Sequence, residues 1–354
     1  MSWMPKPGDA MPTKKSNGKQ PTMRDVARLA GVSQPTVSRV LNNNPSAIPV
    51  SEETRRKVLE AVRVLGYRPN MTARSLRTQR TQMIALMIAD ISNSFYHPIA
   101  RTVQDIARQH NYDVIISSSD HQYDNERHFC EAVIRRPVDG VIMVPTHLTD
   151  EDLDRFIALT QTPVVVLGQH IKHADVDVVY ADDEKATFDA VNWLIAERGH
   201  REIGFVGVPD QYPPGPRRWR GYQRAMELAG LSVNPQFVFE GDFTLESGRQ
   251  VARRLLKLPD WPSALFVVND LMAIGLILEL QDAGYNVPGD IAIMGFDDIP
   301  EASIIRPPLT TIAQAPVEIG KKLVNALFDR IEGRVSGGRR ALECPCLLIP
   351  RQSA

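Results

Sequence analysis

The stretch Thr22–Asn42, TMRDVARLAGVSQPTVSRVLN, constrains this chain more than any other. Val26, Ala27, Ala30, Val32, Val37, Val40 and Leu41 recur at helical spacing, interrupted once at Gly31-Val32. Thr22 can cap a first helix, with Asp25 in the first turn where a negative charge suits the helix dipole. Ser33 can cap a second, which opens with Gln34 and Pro35. The apolar residues form the buried side, while Gln34, Ser38 and Arg39 fall on the other. Two short helices around a tight turn are the pattern of a helix-turn-helix, whose second helix enters the major groove of DNA. A third helix is expected over Ser51–Gly66, capped by Ser51 and ended by Gly66, with Val58, Leu59, Val62 and Leu65 as its buried stripe.

Charge follows the same division. Residues 13–80 carry 14 Lys+Arg against 4 Asp+Glu, while the rest carries 27 basic and 38 acidic residues. The overall net charge of −1 hides a basic head on an acidic body, the footprint of a DNA-binding module joined to a sensor. The three cysteines, Cys130, Cys344 and Cys346, fit a reducing cytosol, and Cys344 and Cys346 are expected as buried strand thiols. No zinc-ligand spacing accompanies Cys344-Pro-Cys346, and His170-x-x-His173 reads as a surface loop. No secretory signal or membrane-length apolar run is evident. Residues 1–20 read as a basic disordered tail.

From Gln82 onward, apolar runs alternate with amphipathic helices. Met83–Ala89, Val114–Ser117, Gly140–Val144 and Val164–Leu167 are expected as buried strands, and a second series begins near Val178. Two such series predict two parallel-sheet α/β lobes with a ligand cleft between them. A late helix over Val317–Ile331 and the run Leu347–Ile349 imply that the chain crosses between lobes more than once.

Several motifs then coincide in order: Asp25-Val-Ala-x-x-Ala-Gly-Val-Ser33, Thr36-Val-Ser-Arg-Val-Leu-Asn42, Leu65-Gly-Tyr-x-Pro-Asn70, Ala73-Arg-Ser-Leu76, Asp90-Ile-Ser-Asn-Ser-Phe95, Arg220-Gly-Tyr222, Asn269-Asp270 and Gly295-Phe-Asp-Asp298. From about Thr22 to about Pro350 the chain resembles the lactose-repressor/galactose-repressor family of bacterial transcription regulators. That resemblance implies an all-α helix-turn-helix head with a hinge helix, followed by two α/β parallel-sheet lobes of the periplasmic-binding-protein type. The expected division is a tail over 1–20, the head over 21–68, a hinge over 69–80 and the body over 81–350. Within the body the first lobe takes about 81–180 and 314–342, and the second about 181–313 and 343–350.

The resemblance also implies roles. Gln34, Pro35 and Arg39 match residues that choose operator sequence, although Pro35 replaces a commonly polar residue. Ser33, Thr36 and Ser38 are expected as phosphate contacts or helix caps. Asn70–Arg77 matches a hinge helix in which Asn70, Ala73, Leu76 and Arg77 meet the minor groove, Leu76 as an apolar wedge in the central base step. Phe95, Tyr96, Arg218, Phe243, Asn269, Asp297 and Gln314 match effector-pocket positions. The loop Asp210–Pro216 lacks the usual small hydroxyls, and Gly168 stands where some relatives carry an acid, so the effector is not inherited from a known relative.

The expected function is a cytoplasmic repressor, a homodimer on a palindromic double-stranded operator, controlled by a sugar or sugar derivative in the cleft. No cofactor, metal or membrane is implied. A free-standing sugar receptor would instead have a signal peptide and no helix-turn-helix. An enzyme on this fold would show a phosphate-binding glycine loop, a nucleophile elbow or paired metal ligands. Asp297-Asp298 suggests acid–base chemistry only superficially, because adjacent side chains diverge. No heptad tail follows the last apolar run, so a dimer is expected rather than a coiled-coil tetramer.

Overall fold

The computed structural model describes residues 21–42, 50–68 and 79–354, in two compact units that part after Arg80. The tail over 1–20 and the hinge residues Asn70, Ala73, Leu76 and Arg77 lie outside the described residues.

The head comprises α1 (Met23–Ala30), α2 (Gln34–Asn42) and α3 (Glu52–Leu65). Thr22 donates its backbone N–H (3.0 Å) and hydroxyl (2.6 Å) to the Asp25 carboxylate, closing the first turn of α1. Gly31 takes φ +67° at the end of α1, a left-handed conformation that a side chain would strain. The Ser33 hydroxyl accepts from the Thr36 N–H at 3.3 Å, and that of Ser51 from Thr54 at 3.2 Å, so α2 and α3 begin on serine caps. Val26, Val37, Val40, Val58 and Ala61 are buried together with Tyr67. Leu59, expected in the buried stripe, is 47 % exposed, and Ala61 takes its place facing the core.

The body holds two parallel sheets. The first contains β1 (Met83–Ile88), β2 (Asp113–Ser118), β3 (Gly140–Met143), β4 (Val164–Leu167), β5 (Asp177–Ala181) and β11 (Ala341–Cys344), in the order β11-β5-β4-β3-β1-β2. The second contains β6 (Ile203–Gly207), β7 (Val238–Glu240), β8 (Ala264–Val267) and β9 (Ala292–Met294), in the order β7-β6-β8-β9. An antiparallel ribbon pairs β10 (Thr311–Ala313) with β12 (Leu347–Ile349). Strands with both faces covered carry near-continuous apolar runs, and β3 and β8 are buried at every residue. The run near Val178 joins the first sheet as β5, between β11 and β4, so the second series starts after it. β11 adds to that same sheet through Cys344, so the final crossing falls between Cys344 and Leu347. Burial there pushes the Cys344 thiol up to about 11.

The helices of the body are α4 (Tyr96–Gln109), α5 (Tyr123–Arg135), α6 (Asp150–Thr160), α7 (Asp183–Ala196), α8 (Pro214–Leu228), α9 (Leu245–Leu255), α10 (Asp270–Asp282), α11 (Pro300–Ile304) and α12 (Pro316–Ile331). α7 and α8 pack closely because Gly221 has no side chain; a Cβ there would lie 2.3 Å from the Glu184 carbonyl oxygen. α12 returns to the first sheet, where Leu327 and Ile331 press against Gly140.

One buried charge ties this returning segment down. Asp177 on β5 is fully buried and accepts paired hydrogen bonds from Arg330 on α12 (2.9 and 2.7 Å). It also accepts from Arg340 Nε (3.1 Å), Nη2 (2.8 Å) and backbone N–H (2.8 Å). Burial alone would raise its proton affinity, but the hydrogen bonds from the two arginines prevail and hold it below the ordinary carboxylate range. Asp177→Asn should cost about 3–5 kcal/mol, because two guanidiniums lose their buried counter-charge. Urea unfolding of the body at neutral pH measures it. The wild-type stabilisation is present above the unfolded carboxylate pKa and is lost as pH falls through the depressed native value, so the two proteins should converge in acid. Equal midpoints at pH 7 would show that the pairing contributes nothing.

Candidate functional site

In the head, Ser33, Gln34 and Pro35 at the start of α2 are exposed, while Thr36, Ser38 and Arg39 are half-buried. The Ser33 and Thr36 hydroxyls lie 2.9 Å apart, so both are engaged in the cap. Gln34 and Pro35 are left as the outward face of the first turn.

In the body, a cleft opens between the two sheets, beyond the C-terminal ends of several strands, where α/β sheets hold ligands. Phe95 and Tyr96 enter from the segment after β1, His121 from after β2, Thr146 from after β3 and His170 from after β4. Asp183, Arg217 and Arg218 come from the starts of α7 and α8, and Phe243, Asp297 and Gln314 complete the wall.

Arg218 is the centre of the polar wall, only 4 % exposed. It donates through Nη1 to the Val268 carbonyl and lies with Cζ 3.7 Å from the centroid of the Phe296 ring. Its Nε is 3.7 Å from Asp183, and its Nη2 is 4.0 Å from Asp297. Asp183 also accepts from Arg217 Nη2 at 2.8 Å. Asp297 accepts from the Gln314 side-chain amide at 2.6 Å and sits at φ +123°, a conformation costing of order 1–3 kcal/mol for a residue with a side chain. Burial drives its proton affinity well above the ordinary carboxylate range; Arg218 opposes this and the neighbouring Asp270 reinforces it. Asp270, fully buried, is raised to about 7 by desolvation, although Thr311 Oγ1 (2.5 Å) and the Ile299 N–H (2.9 Å) both donate to it. Asp298 turns away to pair with Arg351 at 2.6 Å, so the adjacent carboxylates do diverge.

The apolar wall is aromatic. Phe95 meets Tyr96 edge-on at 5.1 Å, and Phe243 stacks on His121 at 5.5 Å with Tyr212 edge-on at 5.6 Å. Burial keeps the Tyr96 phenol protonated. Six of the seven expected pocket residues line the cleft; Asn269 does not. Asn269 caps α10 by accepting from the Met272 N–H at 3.1 Å and donates to the Phe243 carbonyl at 2.8 Å. It therefore acts on the cleft through Phe243, whose backbone stands at φ +72°.

His121, His170, Asp183, Tyr212 and Arg217 also line the cleft, although none of them was among the expected pocket residues. His170 sits in the expected loop, but its ring is turned inward, and burial with Arg217 nearby lowers its pKa to about 4. Glu126 is another hidden contributor. Fully buried on α5, it accepts the N–H groups of Thr146 (2.6 Å), His147 (3.0 Å) and Leu148 (2.8 Å), fixing the loop that bears Thr146. Its signal in sequence was only an acidic residue on a helix. Among the described residues, no cluster of three or more His, Cys, Asp or Glu could hold a metal ion, and no helix is long and apolar enough to cross a membrane.

Residues 22–70 match the model of bacterial regulatory proteins of the lacI family, and residues 194–354 match that of a periplasmic binding protein-like domain. The chain is 41% identical over 302 residues to catabolite control protein A of Priestia megaterium, covering 84% of this chain and 89% of that one. The lac repressor dimer bound to operator and the anti-inducer ONPF aligns at 28% identity with a TM-score of 0.82, covering 95% of this chain and 99% of that one. A transcriptional regulator CelR–cellobiose complex aligns at 30% identity with a TM-score of 0.70, covering 94% and 100%. With a capped helix-turn-helix ahead of a two-sheet body and its polar–aromatic cleft, the chain belongs to the lacI family of bacterial regulatory proteins, which are DNA-binding transcription regulators and not enzymes.

Proposed function

We propose that this protein is a cytoplasmic repressor that binds a palindromic operator as a homodimer and answers to a small ligand, a sugar or sugar derivative, held in the cleft. The observation that carries the reading is the union, on one chain, of an exposed Gln34-Pro35 turn on α2 and a cleft walled by Arg218 and Asp297 on one side and aromatic rings on the other. A guanidinium and a carboxyl group can hydrogen-bond adjacent ring hydroxyls while Phe95, Tyr96 and Phe243 cover the apolar ring faces. The cellobiose-bound relative supports the sugar class. Ile115 and Ile116 are exposed on β2, an edge strand, and exposed Ile91 donates its N–H to Ser118 at the end of that strand. Those residues support pairing of two copies through the first lobe.

Gln34, Pro35 and Arg39 read bases, with Arg39 bidentate to a guanine edge, while Ser33, Thr36 and Ser38 set register. Asn70, Ala73, Leu76 and Arg77 form the hinge, two of which meet at the operator centre with Leu76 wedged into the middle step. Ligand binding shifts the setting of the lobes and thereby the pairing of the hinges, through its different affinity for the two states.

Selection of bound duplexes from a random library should return an inverted repeat carrying two chains. A single half-site with one chain would contradict the dimer. In the same assay Arg39→Ala should broaden base preference within each half-site, losing about 1–3 kcal/mol of discrimination, with little change on unrelated DNA. A uniform loss on all sequences would make Arg39 a phosphate contact instead. Asn269→Ala leaves the lining side chains intact, yet should weaken ligand binding by releasing Phe243 and lower stability by about 0.5–2 kcal/mol through the lost cap. Unchanged ligand affinity by calorimetry would show that Phe243 holds its position without Asn269.

A further inference from the structure

One corner of the cleft has more hydrogen-bond donors than the protein satisfies. The Nε atoms of Arg217 and Arg218 and both ring nitrogens of His170 are buried without a protein hydrogen bond, and the neutral imidazole adds one N–H donor and one acceptor nitrogen to the guanidinium donors. Arg217 and Arg218 stand in the first turns of α8, beside the second sheet, whereas His170 follows β4 of the first sheet. The two lobes thus contribute opposite sides of the corner. Gly168, at φ +146°, lets the His170 ring fold back over the loop; a Cβ there would lie 3.0 Å from the ring.

The acceptors nearby are already committed. Asp183 accepts from Arg217 Nη2 at 2.8 Å and lies 3.7 Å from Arg218 Nε, so two guanidiniums share one carboxylate. Asp297 is 4.0 Å from Arg218 Nη2 and is occupied by the Gln314 amide at 2.6 Å. A guanidinium can only donate, so apart from one ring nitrogen of His170 the unmet capacity is on the donor side. A neutral hydroxyl could accept one of these bonds and pass its hydrogen to that ring nitrogen, but it would leave two guanidiniums sharing the one carboxylate of Asp183. An oxyanion accepts several N–H groups and brings none, and charge-assisted bonds of this kind are the stronger ones.

We infer that Arg217, Arg218 and His170 form an oxyanion subsite, and that the ligand of the cleft carries an acid group, a carboxylate or a phosphate ester. The inference rests on the reading of the cleft as the ligand site and adds the ligand's charge to it. Arg217 and His170 are then the specificity-determining residues, and Arg218 bridges the subsite to the part of the ligand that meets Asp297.

The test uses the full chain and two simple probes, inorganic phosphate and acetate, each compared with sodium chloride at equal ionic strength in a thermal-shift assay. At least one oxyanion should raise the melting temperature of the body by roughly 2–4 °C beyond chloride once it is about tenfold above its dissociation constant. The probe that does so decides between phosphate ester and carboxylate. His170→Ala and Arg217→Gln, each referenced to its own melting temperature in chloride, should abolish the increment. No increment from either probe, or an increment that survives both substitutions as it would if the basic head bound the ion, overturns the subsite. Operator affinity separates this from the regulatory reading. An oxyanion that binds here without altering operator affinity keeps the subsite and removes regulation, whereas a neutral sugar that alters operator affinity in a protein blind to both oxyanions does the reverse.

Discussion

The body is organised around a permanent positive charge that has almost no access to water. Taking a guanidinium out of water costs several kcal/mol even after the protein relaxes. The fold answers with a carbonyl oxygen from Val268, the face of Phe296 and two carboxyl groups at 3.7 and 4.0 Å. Each answer fixes a further piece of the chain. Asp183 is set where the chain leaves β5 for the second lobe, and Asp297 is held in a positive-φ turn just after β9. The site is therefore preorganised by the need to accommodate its own arginine, and the ligand meets groups whose positions are already decided.

The same logic extends outward from Asp297. Desolvation raises its proton affinity and that of Asp270, so two neighbouring carboxyl groups are poised against each other in a low-dielectric interior. Thr311, on the crossing strand β10, donates to Asp270, and Gln314, just beyond it, donates to Asp297. The strand by which the chain returns to the first lobe thus hangs on one acid of the pocket, Asp297, and one buried acid outside it, Asp270.

Much of this was legible in sequence, because local chemistry leaves local marks. Thr22, Ser33 and Ser51 announce helix starts, Gly31 and Gly66 announce ends, and Arg218, Asp297 and Gln314 stand where the family resemblance put them. What failed was information carried over distance. An apolar run buried on both faces does not say which sheet it joins, so the end of β11 was credited to the wrong lobe. Leu59 and Ala61 both fit a helical stripe, and only packing against α1 and α2 selects between them. His170 lies in a polar loop, as its neighbours suggest, but the inward turn of its ring needs the space that Gly168 leaves. Asn269 matched a pocket position, yet its side chain holds the Phe243 carbonyl instead of lining the cleft.

The central claim is that the cleft and the DNA-reading head share one equilibrium. If so, coupling is reciprocal: a ligand that changes operator affinity by some factor must have its own affinity changed by operator to the same extent. Calorimetry with the first ligand returned by a thermal-shift screen, performed on the free protein and on the protein saturated with operator, measures this directly. The two ligand dissociation constants should differ by at least about fivefold, matching the ratio of operator constants with and without ligand. Equal ligand affinity in the two states would contradict it.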